Sequence, residues 1–501
     1  MAVINQAIVA MRDLRQRRTL RLLLLAGLAL SLLVGAGGAG YWWRLEHSGQ
    51  AMRIHDNDPR PATGPWAKPS PRDKVPGPPF ITSVSADGRY LVDQYGEPFL
   101  VKGDSPWALM TRLSPQQADS WFTDRERKGF NAAIVSLIGA TANGGPNDDG
   151  TTFDGLNPFV AGNILTWQEP YWNRVTRYLE LAAQHGITVM LYPVDGWTIG
   201  HSFVPKSIQQ CHQFGAMVAK RFRQLPNIVW MSGGDYFPHT DDLARGSDVD
   251  HCIDAMMRAI RASGDDRPFS IQLGYDKSVT TENPYWAQHA DWNFVYTYYP
   301  TYKAVLDAYR WSPPIPAILG EANYEGENNQ PDTKPTTNET LRRQLLWAMT
   351  SGAAGSFVGS QDWKFKPSWE QRLSTRSLSQ LIRLHELFSG LPWWRLVPDT
   401  TSRLVIGGRG KPVTTDRPMD VLDNEYVTAS RTADGHVAVI YVPTQRTITV
   451  DPAEMASGTR AAWIDPASGS SQAVTMSSTF TTPGKNSEGN GDWILLFQPS
   501  S

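Results

Sequence analysis

The sequence predicts a (β/α)8 barrel followed by a small all-β sandwich, with a transmembrane helix ahead of both. Three features indicate this order. An uncharged apolar run lies near the amino terminus, strand and helix patterns alternate through the middle of the chain, and short strands separated by turn residues fill its last part. Because 501 residues are too many for one compact core, we expect at least two domains.

The amino terminus carries a membrane signal. Arginines in residues 1–21 precede an uncharged run, residues 22–43, that closes on Tyr-Trp-Trp. About 20 apolar residues cross a bilayer, arginines stay on the cytoplasmic side, and aromatic rings favour the far interface. We therefore expect a cytoplasmic basic segment and a single-pass anchor in the cytoplasmic (inner) membrane, with the folded part in the periplasm. The alternative is a cleaved signal peptide, which would make the protein secreted.

Residues 44–79 are polar and rich in proline, which indicates an extended linker. The only cysteines, Cys211 and Cys252, fall on predicted helices that would be neighbours on a barrel. Outside the cytoplasm they could form a disulfide, and two buried free thiols are the alternative. Two cysteines alone cannot build a structural zinc site.

The barrel is predicted over residues 80–397, where strand patterns alternate with helical ones such as 171–183, 208–223, 249–262 and 340–350. A doubly wound sheet is the structural alternative, but no glycine-rich phosphate fingerprint follows the first strand. The predicted strands are 99–102, 131–137, 187–192, 227–231, 269–273, 293–296, 316–319 and 354–358. From residue 398 to 501, short strands spaced by Gly, Pro, Ser and Asp predict the β-sandwich.

Two carboxylates follow glycines at the ends of apolar strands. Glu321 follows Gly320 at the end of the seventh predicted strand, and Asp235 follows two glycines after the fourth. An unpaired carboxylate is too costly to bury in a core, so both are expected at the mouth of the barrel, where such barrels keep their chemistry. A single acid at a strand end could equally cap a helix or pair with a cation, but two in matching positions favour paired acid/base groups.

Other polar and aromatic residues follow strand ends on the same side of the predicted barrel. Hydroxyl groups of a sugar need donors and acceptors, and its apolar ring faces need flat surfaces for stacking, so this combination predicts a sugar site. A net charge of −2 gives no reason to expect nucleic acid as a partner. The candidate substrate-binding residues are Asp104, Trp107, Asp195, Trp197, Tyr298, Tyr299, Tyr324, Gln361, Asp362 and Trp363.

Several ordered motifs resemble one family. The runs YLVDQYGEPFLVKGDSPWAL, IVWMSGGD, GEANYEG and LRRQLLWAMTSGAAGSFVGSQDW resemble the apiosidase-like barrel proteins, glycoside hydrolase family 140 and its relatives. The tail from YVTASRTADGHVAVIYV onward resembles the β module, named for collagen binding, that follows those barrels. The resemblance implies that Asp235 is the acid/base and Glu321 the nucleophile. The fifth strand differs from the family pattern, because Gln272 and its neighbours stand where a histidine-proline pair is expected, so apiose is not carried over as the substrate.

We therefore expect a retaining glycoside hydrolase that acts on a cell-envelope, secreted or plant polysaccharide or oligosaccharide, with no metal or organic cofactor. A retaining mechanism requires carboxyl groups about 5–5.5 Å apart. A non-catalytic carbohydrate-binding or scaffold protein is the alternative from another class. No Gly-x-Ser-x-Gly or His-Glu-x-x-His motif is present, which argues against serine hydrolases and metalloproteases.

Overall fold

The computed structural model describes residues 77–203, 206–238, 246–274, 277–329, 334–413 and 419–499. The predicted basic segment, the predicted span at 22–43 and nearly all of the predicted linker lie outside the described residues. Within the described ranges, no helix combines the length and the apolar character that a membrane span needs.

The described chain begins with a three-stranded antiparallel sheet of Ile81–Val84, Leu91–Asp93 and Pro98–Phe99. The predicted strand at 99–102 merges two elements, because Phe99 ends this small sheet and the first barrel strand begins at Val101. Both pieces are apolar and only one residue separates them, so the sequence pattern does not show the break.

In the described residues, eight parallel strands form the barrel, and most of their side chains are buried because helices cover the outside. The ladder is continuous except between the fifth and sixth strands. There the Thr280 hydroxyl donates to the carbonyl of Ile271 (2.8 Å) and accepts from the amide of Phe294 (2.9 Å). The Ser270 hydroxyl also crosses the junction, to the carbonyl of Trp292 (2.7 Å), as does the Asp291 amide, to the carbonyl of Phe269 (2.8 Å). The barrel strands, first to eighth, are Val101–Asp104, Ala132–Ser136, Thr188–Tyr192, Ile228–Tyr236, Phe269–Leu273, Asn293–Thr297, Ala317–Glu321 and Ala353–Val358. Lys277–Val279 adds an antiparallel strand beside the sixth.

The helices around the barrel begin at well-formed caps. Ser114, Ser207, Ser247 and Thr337 each accept a hydrogen bond from the third helical amide, which satisfies one of the free donors at a helix start. The helices are Leu109–Arg112, Pro115–Arg127, Glu169–Gln184, Gly196–Thr198, Ile208–Phe222, Asp248–Ala262, Pro284–Ala287, Thr301–Tyr309, Asn338–Met349 and Arg376–Ser389, with a π-helical turn at Ile199–Phe203. A hairpin of Phe159–Val160 and Asn163–Trp167 follows the second barrel strand.

A disulfide joins Cys211 and Cys252, whose Cα atoms lie 5.3 Å apart. It links the helices that follow the third and fourth barrel strands, Ile208–Phe222 and Asp248–Ala262. Both cysteine side chains are buried against the apolar layer between helices and strands.

The carboxyl-terminal part is a β domain with two antiparallel sheets. Apolar side chains such as Ile440, Ile448, Phe480 and Leu495 fill the core between the sheets, as in a sandwich. In spatial order, the larger sheet contains Leu396–Pro398, Thr428–Thr432, Ala438–Val442, Trp493–Pro499, Thr459–Ile464 and Ser471–Val474, and the smaller one contains Val405–Gly407, Thr447–Val450 and Thr479–Thr481.

A buried cation ties the β domain to the barrel. Arg342, on the helix after the seventh barrel strand, donates to both carboxylate oxygens of Asp492 at 3.0 and 2.8 Å. It also donates to Glu488 at 2.8 Å, and neither Arg342 nor Asp492 has exposed side-chain surface. Five residues further along the helix, the Trp347 indole donates to the carbonyl of Tyr426 at 2.9 Å. The helix that follows the seventh barrel strand thus joins the barrel to the β domain.

Candidate active site

Asp235 and Glu321 lie at the carboxyl ends of the fourth and seventh barrel strands, which share one mouth of the barrel. Both follow an irregularity in the ladder. On the fourth strand, the residues paired with the fifth skip from Gly233 to Tyr236. On the seventh strand, the residues paired with the sixth skip from Leu319 to Glu321. Such bulges re-aim side chains next to active sites.

The two glycines before Asp235 are required by the geometry. Gly233, Gly234 and Asp235 all have positive φ angles, of 92°, 73° and 57°. A Cβ on Gly233 would lie 1.9 Å from the carbonyl oxygen of Gln272, so no other residue fits there. Asp235 itself adopts a conformation that non-glycine residues rarely tolerate. The fold therefore holds Asp235 in a strained position, which is a common property of catalytic residues.

Glu321 is buried, and donors from two neighbouring strands hold its carboxylate. The Gln272 amide donates to Oε2 at 3.0 Å, and the Tyr298 hydroxyl donates to Oε1 at 3.3 Å. Gln272 is fixed in turn, since its Oε1 accepts from the Tyr192 hydroxyl at 2.9 Å. Both oxygens of Glu321 are thus oriented by the surrounding barrel.

Tyr296 and Tyr298 connect the two carboxyl groups. Their hydroxyl groups are 2.6 Å apart. Burial raises the pKa of both Asp235 and Glu321, and hydrogen bonding by the Tyr296 hydroxyl, which lies beside both acids, offsets part of that rise. Burial, and then the negative charges of the acids, raise the pKa of Tyr296 and Tyr298 well above the usual value. Both tyrosines therefore stay protonated and can donate.

Burial is the largest cause of the elevated pKa values of both acids. It raises the pKa of Asp235 to about 7, and the charge of Asp195 adds to the effect. It raises the pKa of Glu321 well above its usual range, and the charge of Asp235 raises it further. Because each ionised carboxylate disfavours ionisation of the other, the pair holds one proton near neutral pH.

Aromatic residues line the mouth beside these acids. Trp197 and Trp363 are half-buried, and their rings stack with centroids 6.1 Å apart and planes 28° from parallel. Trp107 packs beneath Trp197 and donates its indole N–H to the hydroxyl of Tyr324 at 3.0 Å. Trp107 and Tyr324 are themselves buried, so they support the exposed pair from below.

Three acids that were predicted to bind substrate form ion pairs or hydrogen bonds with other residues of the protein. Asp104 forms an ion pair with Arg125 at 2.5 Å, and Asp362 forms a two-pronged pair with Arg372 at 2.6 and 2.7 Å. Asp195 is buried and caps the turn at Gly196–Thr198. Its second oxygen accepts from the side chains of Ser136 (2.5 Å) and Asn143 (2.7 Å). The structure therefore gives these acids positioning contacts around the mouth.

Tyr299 and Gln361 lie near the same strand ends. Tyr299 is buried, and its carbonyl accepts from Gln344 at 3.1 Å. Gln361 is half-buried, and its amide donates to the carbonyl of Glu325 at 2.7 Å, which joins the loops after the seventh and eighth strands. Among the described residues, no group of three or more His, Cys, Asp and Glu side chains is arranged to hold a metal ion.

Three contributors to the site were not predicted as site residues. Tyr192 and Gln272 orient Glu321, and Tyr296 lies beside both acids. Tyr296 could have been found, because residues two apart in a strand share a face and Tyr298 was a candidate. Gln272 carried a signal as the departure from the family pattern in the fifth strand. Tyr192 reads as an ordinary buried strand residue.

Two carboxyl groups at one mouth of an eight-stranded parallel barrel are the arrangement that many glycoside hydrolases use. The comparison with protein families gives the same class. The chain belongs to the apiosidase-like family, since the model described as "Apiosidase-like, catalytic domain" matches residues 85–395. Residues 418–498 match the model described as "Putative collagen-binding domain of a collagenase".

Solved structures share this architecture across most of the chain. One titled "Glycoside hydrolase" has a TM-score of 0.69 at 20% identity and covers 84% of this chain and 97% of its own. A glycoside hydrolase family 5 protein from Bacteroides vulgatus ATCC 8482 has a TM-score of 0.70 at 19% identity, covering 84% and 93%. At these identities the similarity establishes the fold. No curated protein sequence matches this chain.

Proposed function

We propose that this glycoside hydrolase retains the anomeric configuration, with Glu321 as nucleophile and Asp235 as acid/base. The observation that carries the proposal is that two adjacent tyrosine hydroxyl groups link the two acids: Tyr298 donates to Glu321, and the hydroxyl of Tyr296, 2.6 Å from that of Tyr298, lies beside Asp235. A retaining mechanism requires carboxyl groups about 5–5.5 Å apart, and this link supports a short separation.

The hydrogen bonds indicate which acid carries the shared proton. Glu321 accepts from Gln272 and Tyr298, and donors to a carboxylate stabilise its charged form. Oδ1 of Asp235 is buried and has no hydrogen-bond partner among the described residues, which favours the neutral acid. We therefore assign the shared proton to Asp235, as a general acid requires, and give the donors around Glu321 more weight than the charge of Asp235, which acts in the opposite direction by raising the pKa of Glu321.

The reaction then proceeds in two displacements. Asp235 gives its proton to the glycosidic oxygen while a Glu321 oxygen forms a bond to the anomeric carbon, and the bond from that carbon to the leaving group breaks. Asp235, now ionised, removes a proton from water. The water oxygen attacks the anomeric carbon, the bond to Glu321 breaks, and the sugar is released with its original configuration.

The substrate we propose is a polysaccharide or oligosaccharide of the cell envelope, of secreted material or of plants. The stacked rings of Trp197 and Trp363 offer an apolar surface to a sugar ring beside the acids.

The configuration of the first product tests the mechanism. The full chain is incubated with a panel of 4-nitrophenyl glycosides and with plant and bacterial polysaccharides, and the anomeric proton of the first product is followed by NMR. We expect the configuration of the substrate. A 2-fluoro glycoside of the cleaved sugar should label Glu321, as mass spectrometry of peptides would show. An inverted product, or a label on another residue, would contradict the proposal.

Variants separate the two roles. Glu321→Gln should abolish turnover. Asp235→Asn should lower kcat/KM by roughly 10²–10⁴-fold on substrates with poor leaving groups and by much less on 4-nitrophenyl glycosides. Glu327→Gln is the matched control, because this carboxyl at the same mouth contacts Trp363 and neither catalytic acid. Equal losses for Asp235→Asn on both kinds of substrate would rule out its acid role.

We further propose that residues 22–43 anchor the enzyme in the cytoplasmic membrane, with the barrel outside the cytoplasm. The arginines before this run support the orientation. Alkaline phosphatase fused at the carboxyl terminus should be active, and membrane fractions should retain the full chain after washing with alkaline carbonate. An inactive fusion would refute export, and release of a shortened chain would indicate cleavage.

A further inference from the structure

A second cleft lies at the end of the barrel opposite the catalytic acids. It has a volume of about 300 Å³, which is at the lower end of the range for small-molecule sites. Its wall includes Gly352, Ala353 and Ala354, where the eighth barrel strand begins. Glu321 lies at the end of its own parallel strand, so the length of the barrel separates the two sites.

The cleft presents aromatic rings to solvent. Trp394 is 40% exposed, and its ring meets that of Trp393 edge to face with centroids 6.0 Å apart. Trp393 meets Tyr90 in the same way, also at 6.0 Å, and Tyr309 lines the opposite wall. An exposed tryptophan at the edge of a concave surface offers a flat apolar face on which a ligand can stack.

Polar groups with unused hydrogen-bonding capacity lie beside these rings. The Arg89 guanidinium stacks 4.0 Å above the Tyr309 ring and donates from Nη1 to the Tyr309 carbonyl at 2.6 Å. Its Nε and Nη2 atoms make no hydrogen bond within the described residues. Oδ1 of Asp87 accepts from Ser85 and from the Arg89 amide, which leaves Oδ2 as a free acceptor. Donors and an acceptor therefore converge where the rings are exposed.

We propose that this cleft, lined by Asp87, Arg89, Tyr90, Tyr309, Trp393 and Trp394, is a second, non-catalytic binding site for sugar units of a polysaccharide. A sugar ring needs a flat apolar surface for its C–H face and donors and acceptors for its hydroxyl groups, and the cleft supplies both. Arg89 and Asp87 carry opposite charges, which suits a neutral sugar. The choice of polysaccharide as ligand rests on the proposed function, while the cleft itself does not involve the catalytic acids.

Native gel electrophoresis of the full chain tests the site. Gels are cast with pectin, xylan, arabinogalactan or β-glucan. Every protein loaded carries Glu321→Gln, so that the polysaccharide is not digested. We expect retardation in at least one gel. Trp394→Ala should weaken it by about fivefold, whereas Trp394→Phe, which keeps a stacking ring, should retain most of it. Ile406→Ala is the control for loss of an exposed apolar side chain, because Ile406 is 56% exposed in the β domain.

In the otherwise unchanged enzyme, Trp394→Ala should leave kcat/KM on a 4-nitrophenyl glycoside within twofold, because the catalytic mouth is at the other end of the barrel. Equal retardation of Trp394→Ala and its parent would overturn the proposal, as would no retardation in any gel. Binding of a peptide copying residues 44–76 in place of any polysaccharide would identify a different occupant and also overturn it. If instead the proposed roles of Asp235 and Glu321 were wrong, the NMR experiment on the configuration of the first product would show it, and the gel experiment would not be affected.

Discussion

Gln272 donates a hydrogen bond of 3.0 Å to Glu321 from the neighbouring fifth strand. The carbonyl oxygen of the same residue lies where a Cβ on Gly233 would collide, so the backbone of Gln272 also shapes the segment before Asp235. One residue thus contacts Glu321 through its side chain and the segment before Asp235 through its main chain.

Replacing Gln272 by Leu should lower kcat by roughly 10–100-fold, because a hydrogen bond to a charged group contributes about 1.5–3 kcal/mol. The loss of a donor raises the pKa of Glu321, so the acidic limb of the pH–rate profile should move to higher pH. The profile of kcat against pH from 4 to 9 checks both effects. Tyr192→Phe should move the limb in the same direction by less. An unchanged limb in Gln272→Leu would show that the amide only fills space.

Because Asp235 must be protonated to act as the acid, we expect a basic limb in the profile of kcat/KM against pH. Since burial raises the pKa of Asp235 to about 7, kcat/KM should fall as the pH rises above that value. The contribution of this carboxyl group to the stability of the fold also decreases as the pH rises. A carboxyl whose folded pKa lies above its unfolded value stabilises the fold fully below about pH 4, and this contribution is lost as the pH rises through the folded pKa.

Asp235→Asn should therefore unfold at the same temperature as the parent near pH 4 and at a higher temperature near pH 8, because it cannot ionise. Differential scanning calorimetry at both pH values measures this. A variant that is equally destabilised at both would mean that Asp235 has a structural role only.

The Arg342–Asp492 pair predicts a large cost for breaking one partner. Asp492→Leu should lower the free energy of unfolding by up to about 3–5 kcal/mol, because it removes two of the acceptors of a buried guanidinium and leaves only Glu488 as its counter-charge. The double variant Arg342→Met/Asp492→Leu should lose less than the sum of the losses in Arg342→Met and Asp492→Leu. Urea denaturation measures the coupling. Asp434→Asn is the control, because its pair with Arg395 is exposed and should contribute little. Additive losses would contradict coupling.

The disulfide predicts that protein denatured without reductant shows no free thiol by Ellman titration. It closes a loop with a sequence separation of 41 residues, and such a link stabilises by about 2–4 kcal/mol. The Cys211→Ser/Cys252→Ser variant should lose that amount in urea denaturation. Two titratable thiols in the parent protein would mean that the cysteines are only packed together.

Much of the fold could be predicted because barrel strands are short apolar runs with clear ends. The fifth strand was predicted at 269–273 and is found at Phe269–Leu273. The fourth was predicted to end at 231 but reaches Tyr236, because two glycines, which read as a turn, form a bulge within the strand. A sequence pattern cannot distinguish a turn that ends a strand from a bulge within it, since both place glycines after an apolar run.

The site was only partly predictable for a different reason. Asp235 and Glu321 were predicted from their own neighbours in sequence, and the structure places them at one barrel mouth, but a partner remote in sequence decides whether an acid is available to a ligand. Asp104 pairs with Arg125, and Asp195 binds Asn143 across 52 positions, which no local pattern reveals. Contacts between barrel strands determine which strand-end acids are free.

The Thr280 bridge has a consequence for how substrate range could change. It closes the one junction of the described barrel that lacks a strand ladder, and it lies between the strands that carry Gln272 and Tyr296. At every other junction, altering the spacing of two strands would break several backbone hydrogen bonds. Here, besides Thr280, the Ser270 hydroxyl donates to the carbonyl of Trp292 and the Asp291 amide donates to the carbonyl of Phe269, so fewer backbone hydrogen bonds fix the spacing of these two strands than at the other junctions. New specificities should arise by changes at this seam.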